Sequence, residues 1–310
     1  MKTTDNRPSG VNFVKMAERN AILDNAHVGK LVSEILTAVR DEGDAAVRLY
    51  SQQFDQFYPE LIEVSADERL AALAALEPQS RKDTEFAIAN VTAFAHAQLK
   101  TILPLEVELL PGVHMGHRII PLEKVGCYVP GGRYPLLSAP VMTIVPAKVA
   151  GVDEVIACLP PKAHPAMIAG CHLSGADRIF RIGGAQAIAA MAFGTETVPR
   201  VDKIVGPGNA FVNEAKKQVF GPIGIDQLAG PSEIFIIADE TGDPEMIATD
   251  MLAQAEPDVC TRVGLITTHK PLALAVMKEV ERQLLDLSTA ITAGQAWKDY
   301  GEIALCRDES

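Results

Sequence analysis

The chain has 310 residues, 48% of them hydrophobic and 22% charged, with a formal net charge of −12. That length and apolar content suit one large or two ordinary folded domains and exclude a disordered chain. The acidic balance argues against nonspecific nucleic-acid binding, but an anionic small molecule remains compatible with a local Arg or Lys pocket. No apolar run reaches the roughly 20 residues needed to span a bilayer, and the polar start MKTTDNRPSG lacks the apolar segment of a secretory signal. The five cysteines, Cys127, Cys158, Cys171, Cys260 and Cys306, form no CxxC pair. They are expected to be buried free thiols, and the protein cytoplasmic.

Residues 27–100 read as helices. In HVGKLVSEILTAVRDEG, Val28, Leu31, Val32, Ile35, Leu36 and Val39 form one apolar stripe, and Gly43 sits where a helix C-cap is expected. A second run, ADERLAALAALEP, stops at Pro78, and a third covers SRKDTEFAIANVTAFAHAQL. Near residue 105 the pattern changes to short strands with turns. His114 and His117 lie there, but their spacing on a strand makes a poor metal site.

From 119 to 240 strand and helix alternate: KVGCYV then PVMTIVPAKVAG, EVIACLP then HPAMIAGCHLSG, RIFRIG then AQAIAAMAFG, DKIVG then NAFVNEAKKQVFG, and finally IFIIAD. Strands joined by helices of this length predict parallel βαβ units, and the apolar strand IFIIA predicts burial on both faces. Asp243 and Pro244 are start signals for the next helix. After Pro257, RVGLITT, PLALAVMKEVERQLL, a short helix around AWKDY and the strand EIALC form a further α/β unit in which the alternation breaks off after a strand. The predicted fold class is α/β, with Rossmann-like parallel sheets, flanking helices and an N-terminal helical segment. Residues 119–240 are expected as one domain. Residues 20–110 and 241–310 are expected as the helical segment and a second, incomplete α/β domain.

Glycine pairs follow strands in VPGGRYP, RIGGAQAI and IVGPGNAF, and LAGPSE precedes the fifth strand. Ligands of parallel α/β sheets bind at that edge, where glycine permits close backbone approach and helix N-termini favour anions. GPGNAF supplies Gly206 and Gly208 of a G-x-G-x-x-G fingerprint, but its third position is Phe211. Asp226, 20 residues past Gly206, stands where a ribose-binding acid would be sought.

The blocks VGCYVPGG, PAKVAGV, GGAQAIAAMAFGTETVPRVDKIVGPGNAFVNEAKKQV and AGPSEIFIIADE resemble the central motifs of the histidinol dehydrogenase family. The resemblance implies an NAD-dependent oxidation of L-histidinol to L-histidine, in histidine biosynthesis, by a zinc-dependent homodimer with atypical Rossmann-like domains. It further implies that Tyr128, Gln186 and Asn209 contact the nicotinamide cofactor; on their own residue types they read equally as a core tyrosine and helix-capping amides. Ser232 matches the family's substrate-contacting serine and Gln254 a zinc ligand. The next family ligand is a histidine in the pattern QAEH, and here that position is Pro257, which offers a metal no donor. The family's remaining zinc ligands, an Asp and a His, and its Glu-His acid–base pair map beyond Ser310. The loop GGRYP and the segment AWKDYGEIALC are more similar to the sulfopropanediol dehydrogenase branch, which implies a small anionic diol as an alternative substrate. Arg133 then reads either as the partner of its anionic headgroup or as a solvated loop arginine. A truncated homologue that keeps NAD binding without catalysis is the third reading.

Overall fold

The computed structural model describes residues 11–18, 25–58, 60–131, 136–228 and 232–307. In chain order its elements are β1 (Val11–Lys15), α1 (Asn25–Glu42), α2 (Asp44–Asp55), α3 (Ala66–Ala74), α4 (Pro78–Leu99), β2 (Leu105–Leu110), β3 (Val113–His117), β4 (Lys124–Tyr128), α5 (Ser138–Val149), β5 (Glu154–Leu159) and α6 (Pro165–Leu173). There follow β6 (Arg178–Arg181), α7 (Gly184–Phe193), β7 (Lys203–Val205), α8 (Ala210–Val219), β8 (Gly224–Ile225), β9 (Ile234–Ile237), α9 (Pro244–Ala255), β10 (Val263–Thr267), α10 (Lys270–Asp286), α11 (Ala290–Tyr300) and β11 (Gly301–Cys306). The fold is α/β, as the alternation of periods predicts. Among the described residues no helix is long and apolar enough to cross a membrane.

The chain divides into two compact units, Asn25–Gly230 and Met1–Asp24 with Pro231–Ser310. The first is built on a five-stranded parallel sheet of order β6-β5-β4-β7-β8. Alternation along its strands sorts side chains to two cores. Tyr128, Ile156, Cys158 and Phe180 face one side, against Val32, Ile35, Leu36 and Val39 of α1, Ile188 and Met191 of α7 and Val212 of α8. Val125, Cys127, Val155, Ala157 and Ile179 face the other, against Ile144 of α5 and Met167 of α6. The stripe read on α1 is thus a packing face of this sheet. That corrects the expected grouping of residues 20–110 with the C-terminal segment: the N-terminal helices complete the first unit because their apolar residues cover its sheet.

Local sequence fixes the connections. Ser65 accepts from the Glu68 N–H at 3.2 Å, and its own N–H donates to the Glu68 carboxylate at 2.9 Å, a capping box that starts α3. Glu68 also pairs with Arg181 at 2.8 Å, and Glu63 forks onto Arg178 at 2.6 and 2.9 Å, tying the segment before α3 to β6. Arg181 first, then Ser65, hold the Glu68 carboxyl down to about 2.

The second unit holds a four-stranded sheet of order β1-β11-β10-β9, parallel except for β1. Here the expectation for IFIIAD is corrected twice. β9 does not belong to the sheet of 119–240, whose fifth strand is instead the two-residue β8. Nor is it buried on both faces: it is an edge strand, with Phe235 45% and Ile237 81% exposed. A short apolar run carries no information about which sheet it joins. Asp243 caps α9 as read, accepting from the Glu245 and Met246 N–H groups.

β2 and β3 form a separate antiparallel hairpin, exposed along its whole length. His114 and His117, three apart on β3, point to opposite faces of it, and His117 bonds the Leu103 carbonyl at 2.9 Å.

Candidate functional site

In the parallel sheet the chain steps outward from β4 to β5 to β6, then returns to the other side of β4 for β7 and β8. Connections after β4 and β7 therefore leave in opposite directions, and the crevice between them at the carboxyl edge is the topological switch point. Tyr128 is the last residue of β4, Gly206 follows β7, and Gly184 opens α7 beyond β6. These loops are in contact. The Gly184 N–H donates to the Tyr128 hydroxyl at 3.1 Å, and a Cβ on Gly206 would fall 2.1 Å from the Tyr128 carbonyl oxygen. Gly206 has φ +118°, so both its conformation and its approach to β4 demand glycine.

Tyr128, Gln186 and Asn209 accordingly lie along one strand edge. Tyr128 is buried, and burial pushes its hydroxyl up to about 12. Gln186, in the first turn of α7, is 1% exposed, and its Nε2 donates to Asp55 Oδ2 at 3.4 Å. Asn209 is the N-cap of α8: its Oδ1 accepts from the Phe211 and Val212 N–H groups, both at 3.1 Å. The residue is exposed, and its Nδ2 takes no part in the cap. Arg133 lies outside the described residues.

Asp226 does not play the part its spacing suggests. Its Oδ2 accepts from the Gly206 N–H at 2.7 Å, and its Oδ1 pairs with Lys216. Lys216 is fully buried and also donates to the carbonyls of Gly206 at 2.9 Å and Gln227 at 2.7 Å. Burial raises the Asp226 carboxyl, but Lys216 and the Gly206 and Gln227 N–H groups outweigh it and hold it below the usual range. The pair fastens the Gly206 loop. Sequence reasoning missed both this lysine and Asp55; the only sign of Lys216 was its place on the apolar face of α8.

In the second unit Gln254, on α9, donates through Nε2 to Ser232 Oγ at 2.7 Å and to the Ser232 carbonyl at 3.2 Å. The residue matched to a substrate contact and the residue matched to a zinc ligand are thus in direct contact. The five cysteines are free, with Cys127, Cys158 and Cys171 buried. An apolar cavity of about 470 Å³ in the first unit is lined by Leu99, Ile102, Ile120 and Met142 among others, and by none of Tyr128, Gln186 and Asn209.

The model of the family described as histidinol dehydrogenase matches residues 18–310. The chain belongs to the histidinol dehydrogenase family. It is 46% identical over 301 residues to a histidinol dehydrogenase homolog of Shouchella clausii, covering 96% of this chain and 71% of that protein. It is 39% identical over 304 residues to the sulfopropanediol 3-dehydrogenase of Ruegeria pomeroyi, covering 96% of this chain and 70% of that one. The crystal structure of histidinol dehydrogenase from Elizabethkingia anophelis superposes with a TM-score of 0.82 at 34% identity, over 95% of this chain and 67% of that chain. The chain spans between 57% and 71% of the length of the first relatives it matches.

Membership in the histidinol dehydrogenase family raises the question of zinc. With Nε2 bonded to Ser232, Gln254 has only its amide oxygen for a metal, and Pro257 contributes none. Among the described residues there is no cluster of three or more His, Cys, Asp or Glu able to hold an ion. A catalytic zinc takes about three protein ligands. The described residues do not fit that metal.

Proposed function

We propose that this chain binds NAD at the switch point of its first unit and belongs to an NAD-dependent alcohol dehydrogenase. The observation that carries this reading is the convergence of three strand-end loops, with Tyr128 bonded to the Gly184 N–H and Gly206 pressed against the Tyr128 carbonyl. Tyr128 supplies an apolar ring face, Gln186 and Asn209 supply uncharged amides, and the N-terminal ends of α7 and α8 face the same edge for phosphate. Bound NAD would accept a hydride from the alcohol carbon. The chain's own part is to bind and orient that cofactor; Gln254 and Ser232, by family resemblance, approach the alcohol. No step is drawn through zinc, because the described donors do not fit it.

The substrate is an alcohol related either to L-histidinol or to a small anionic diol such as sulfopropanediol. Relatives bearing both names support both readings, and on the second Arg133 meets the anionic group. A homodimer is supported by the apolar residues exposed on hairpin β2–β3 (Leu105, Val107, Met115) and on α4 (Phe86, Phe94); an isolated hairpin of this kind is marginally stable without a packed face. The protein acts in the cytoplasm.

The test is calorimetric titration of NAD into the chain, followed by nicotinamide absorbance with each alcohol class. Saturable NAD binding with turnover supports a dehydrogenase. Binding without turnover on either alcohol favours the third reading, a homologue that keeps the cofactor fold alone. Absence of NAD binding removes the proposal.

A further inference from the structure

The carboxylate of Asp55 lies beside the cofactor edge, and no sequence motif points to it. Asp55 is the last residue of α2, and Gln56 after it is left-handed, with φ 51° and ψ 42°. Gln56 is the one non-glycine residue with positive φ among the described residues, a left-handed conformation of the kind that commonly ends a helix. The Gln56 N–H turns back to the Ser51 carbonyl, which ends the helix at Asp55. The Asp55 side chain is half-buried, and desolvation raises its carboxyl, with Lys162 opposing that rise. Its Oδ2 takes the Nε2 of Gln186 at 3.4 Å.

That bond decides which way an amide faces. A carboxylate accepts and does not donate, so only the nitrogen end of Gln186 can turn toward it. The oxygen end then lies over the first turn of α7: a Cβ placed on Gly184 would meet Gln186 Oε1 at 2.7 Å. Gly184, at φ +64°, leaves that space to the amide and sends its own N–H to Tyr128. Gln186 is nearly fully buried, so an amide with both orientations open would present a cofactor donor with the wrong end for part of the time.

We propose that Asp55 is a positioning residue of the cofactor site: it holds the Gln186 amide in one orientation, so that Oε1 is presented at the N-terminus of α7 as an acceptor for a donor group of the dinucleotide. This rests on the reading of the switch point as an NAD site. It assigns the cofactor a donor, an amide N–H or a ribose hydroxyl, at Gln186.

A double-mutant cycle tests it, with NAD titrated into the 310-residue chain and folding followed by thermal melting. Asp55→Asn, which can meet Gln186 with either end, is expected to weaken NAD binding roughly tenfold with little change in melting temperature. Gln186→Ala should weaken it to a similar degree, and Asp55→Asn should then cost nothing further in the Gln186→Ala background. Asp55→Glu should recover part of the affinity, which keeps the test open if the asparagine variant folds poorly. Additive losses would mean that Asp55 acts without Gln186 and would overturn the proposal. So would an Asp55→Asn variant that binds like the wild type, or one whose melting temperature alone falls. If the wild-type chain does not bind NAD, the reading of the site fails, and this inference with it; wild-type binding with no coupling removes only Asp55.

Discussion

Lys216→Met removes the ammonium that fastens the Gly206 loop while keeping a side chain of similar length and apolar stem. Lys216 is fully buried and bonds Asp226 and the carbonyls of Gly206 and Gln227, whereas the Asp226 side chain is 31% exposed. Deleting one member of a buried ion pair costs about 3–5 kcal/mol, because the other charge is left without compensation. Asp226 can be partly rehydrated, which puts the pair near the lower figure. Two carbonyls that lose a donor add about 1 kcal/mol each, and relief from burying the ammonium offsets a comparable amount. The expected loss is about 3 kcal/mol. Asp226→Asn should cost at least as much, since the stranded charge is then the fully buried one. The double variant Lys216→Met, Asp226→Leu should recover most of it. The assay is urea unfolding followed by far-ultraviolet circular dichroism at constant m. Fluorescence is unsuitable, because the single tryptophan, Trp297, lies in the other unit. A Lys216→Met variant within about 1 kcal/mol of wild type, or a double variant no better than the singles, would refute the view that the pair is a buried clamp.

Glu68 gives a pH prediction. Its folded carboxyl is depressed to about 2 from an ordinary 4.5, so its contribution is full above 4.5 and disappears as the pH falls from there toward 2. Glu68→Gln should therefore flatten the acid limb of a melting-temperature profile over that window and leave its shape near neutrality unchanged; an unaltered acid limb would contradict the assignment. Gly206→Ala places a methyl group 2.1 Å from the Tyr128 carbonyl at φ +118°. It should destabilise by more than about 2 kcal/mol and abolish NAD binding, whereas Gly112→Ala, at φ +80° in open space, should cost only about 1 kcal/mol and leave binding intact. Equal costs in urea unfolding would remove the steric argument. Zinc added in equimolar amount should leave the thermal transition in place and be lost on dialysis; stoichiometric retention would show that donors outside the described residues complete a site with Gln254.

The βα alternation from β4 to α8 could be read in the sequence because each strand there is a short apolar run ended by glycine or, after β5, by a proline pair, and each helix has an apolar face. Three features could not. β8 is two residues long and carries no period at all. β1 is held by β11, nearly the whole chain away, so its five residues have no local reason to be a strand. β9 joins the second sheet because the chain leaves the first unit just before it, a property of the connection and not of IFII. At the site, the strand-end glycines marked the correct edge, and family resemblance, not spacing, selected Tyr128, Gln186 and Asn209. The capping role of Asn209 was equally readable from its residue type, and the structure shows it in use. The cap uses only the amide oxygen and leaves the nitrogen as a donor, so that role does not compete with the proposed one.

The fates of Asp226 and Asp55 show what separates a clamp from a ligand-facing acid. Both are partly buried carboxylates of the first unit. Asp226 stands where a spacing rule expects the ribose acid, yet each of its oxygens is taken by this chain, one by a buried ammonium and one by a backbone N–H. Asp55 has one long bond to a neutral amide, and desolvation raises its carboxyl where partners lower that of Asp226. Opposite directions of shift record opposite degrees of commitment: a carboxylate satisfied within the fold falls, and one short of partners rises. Asp55 is the carboxylate bonded to a proposed cofactor contact, Gln186, and the distance along the chain from the glycines did not point to it.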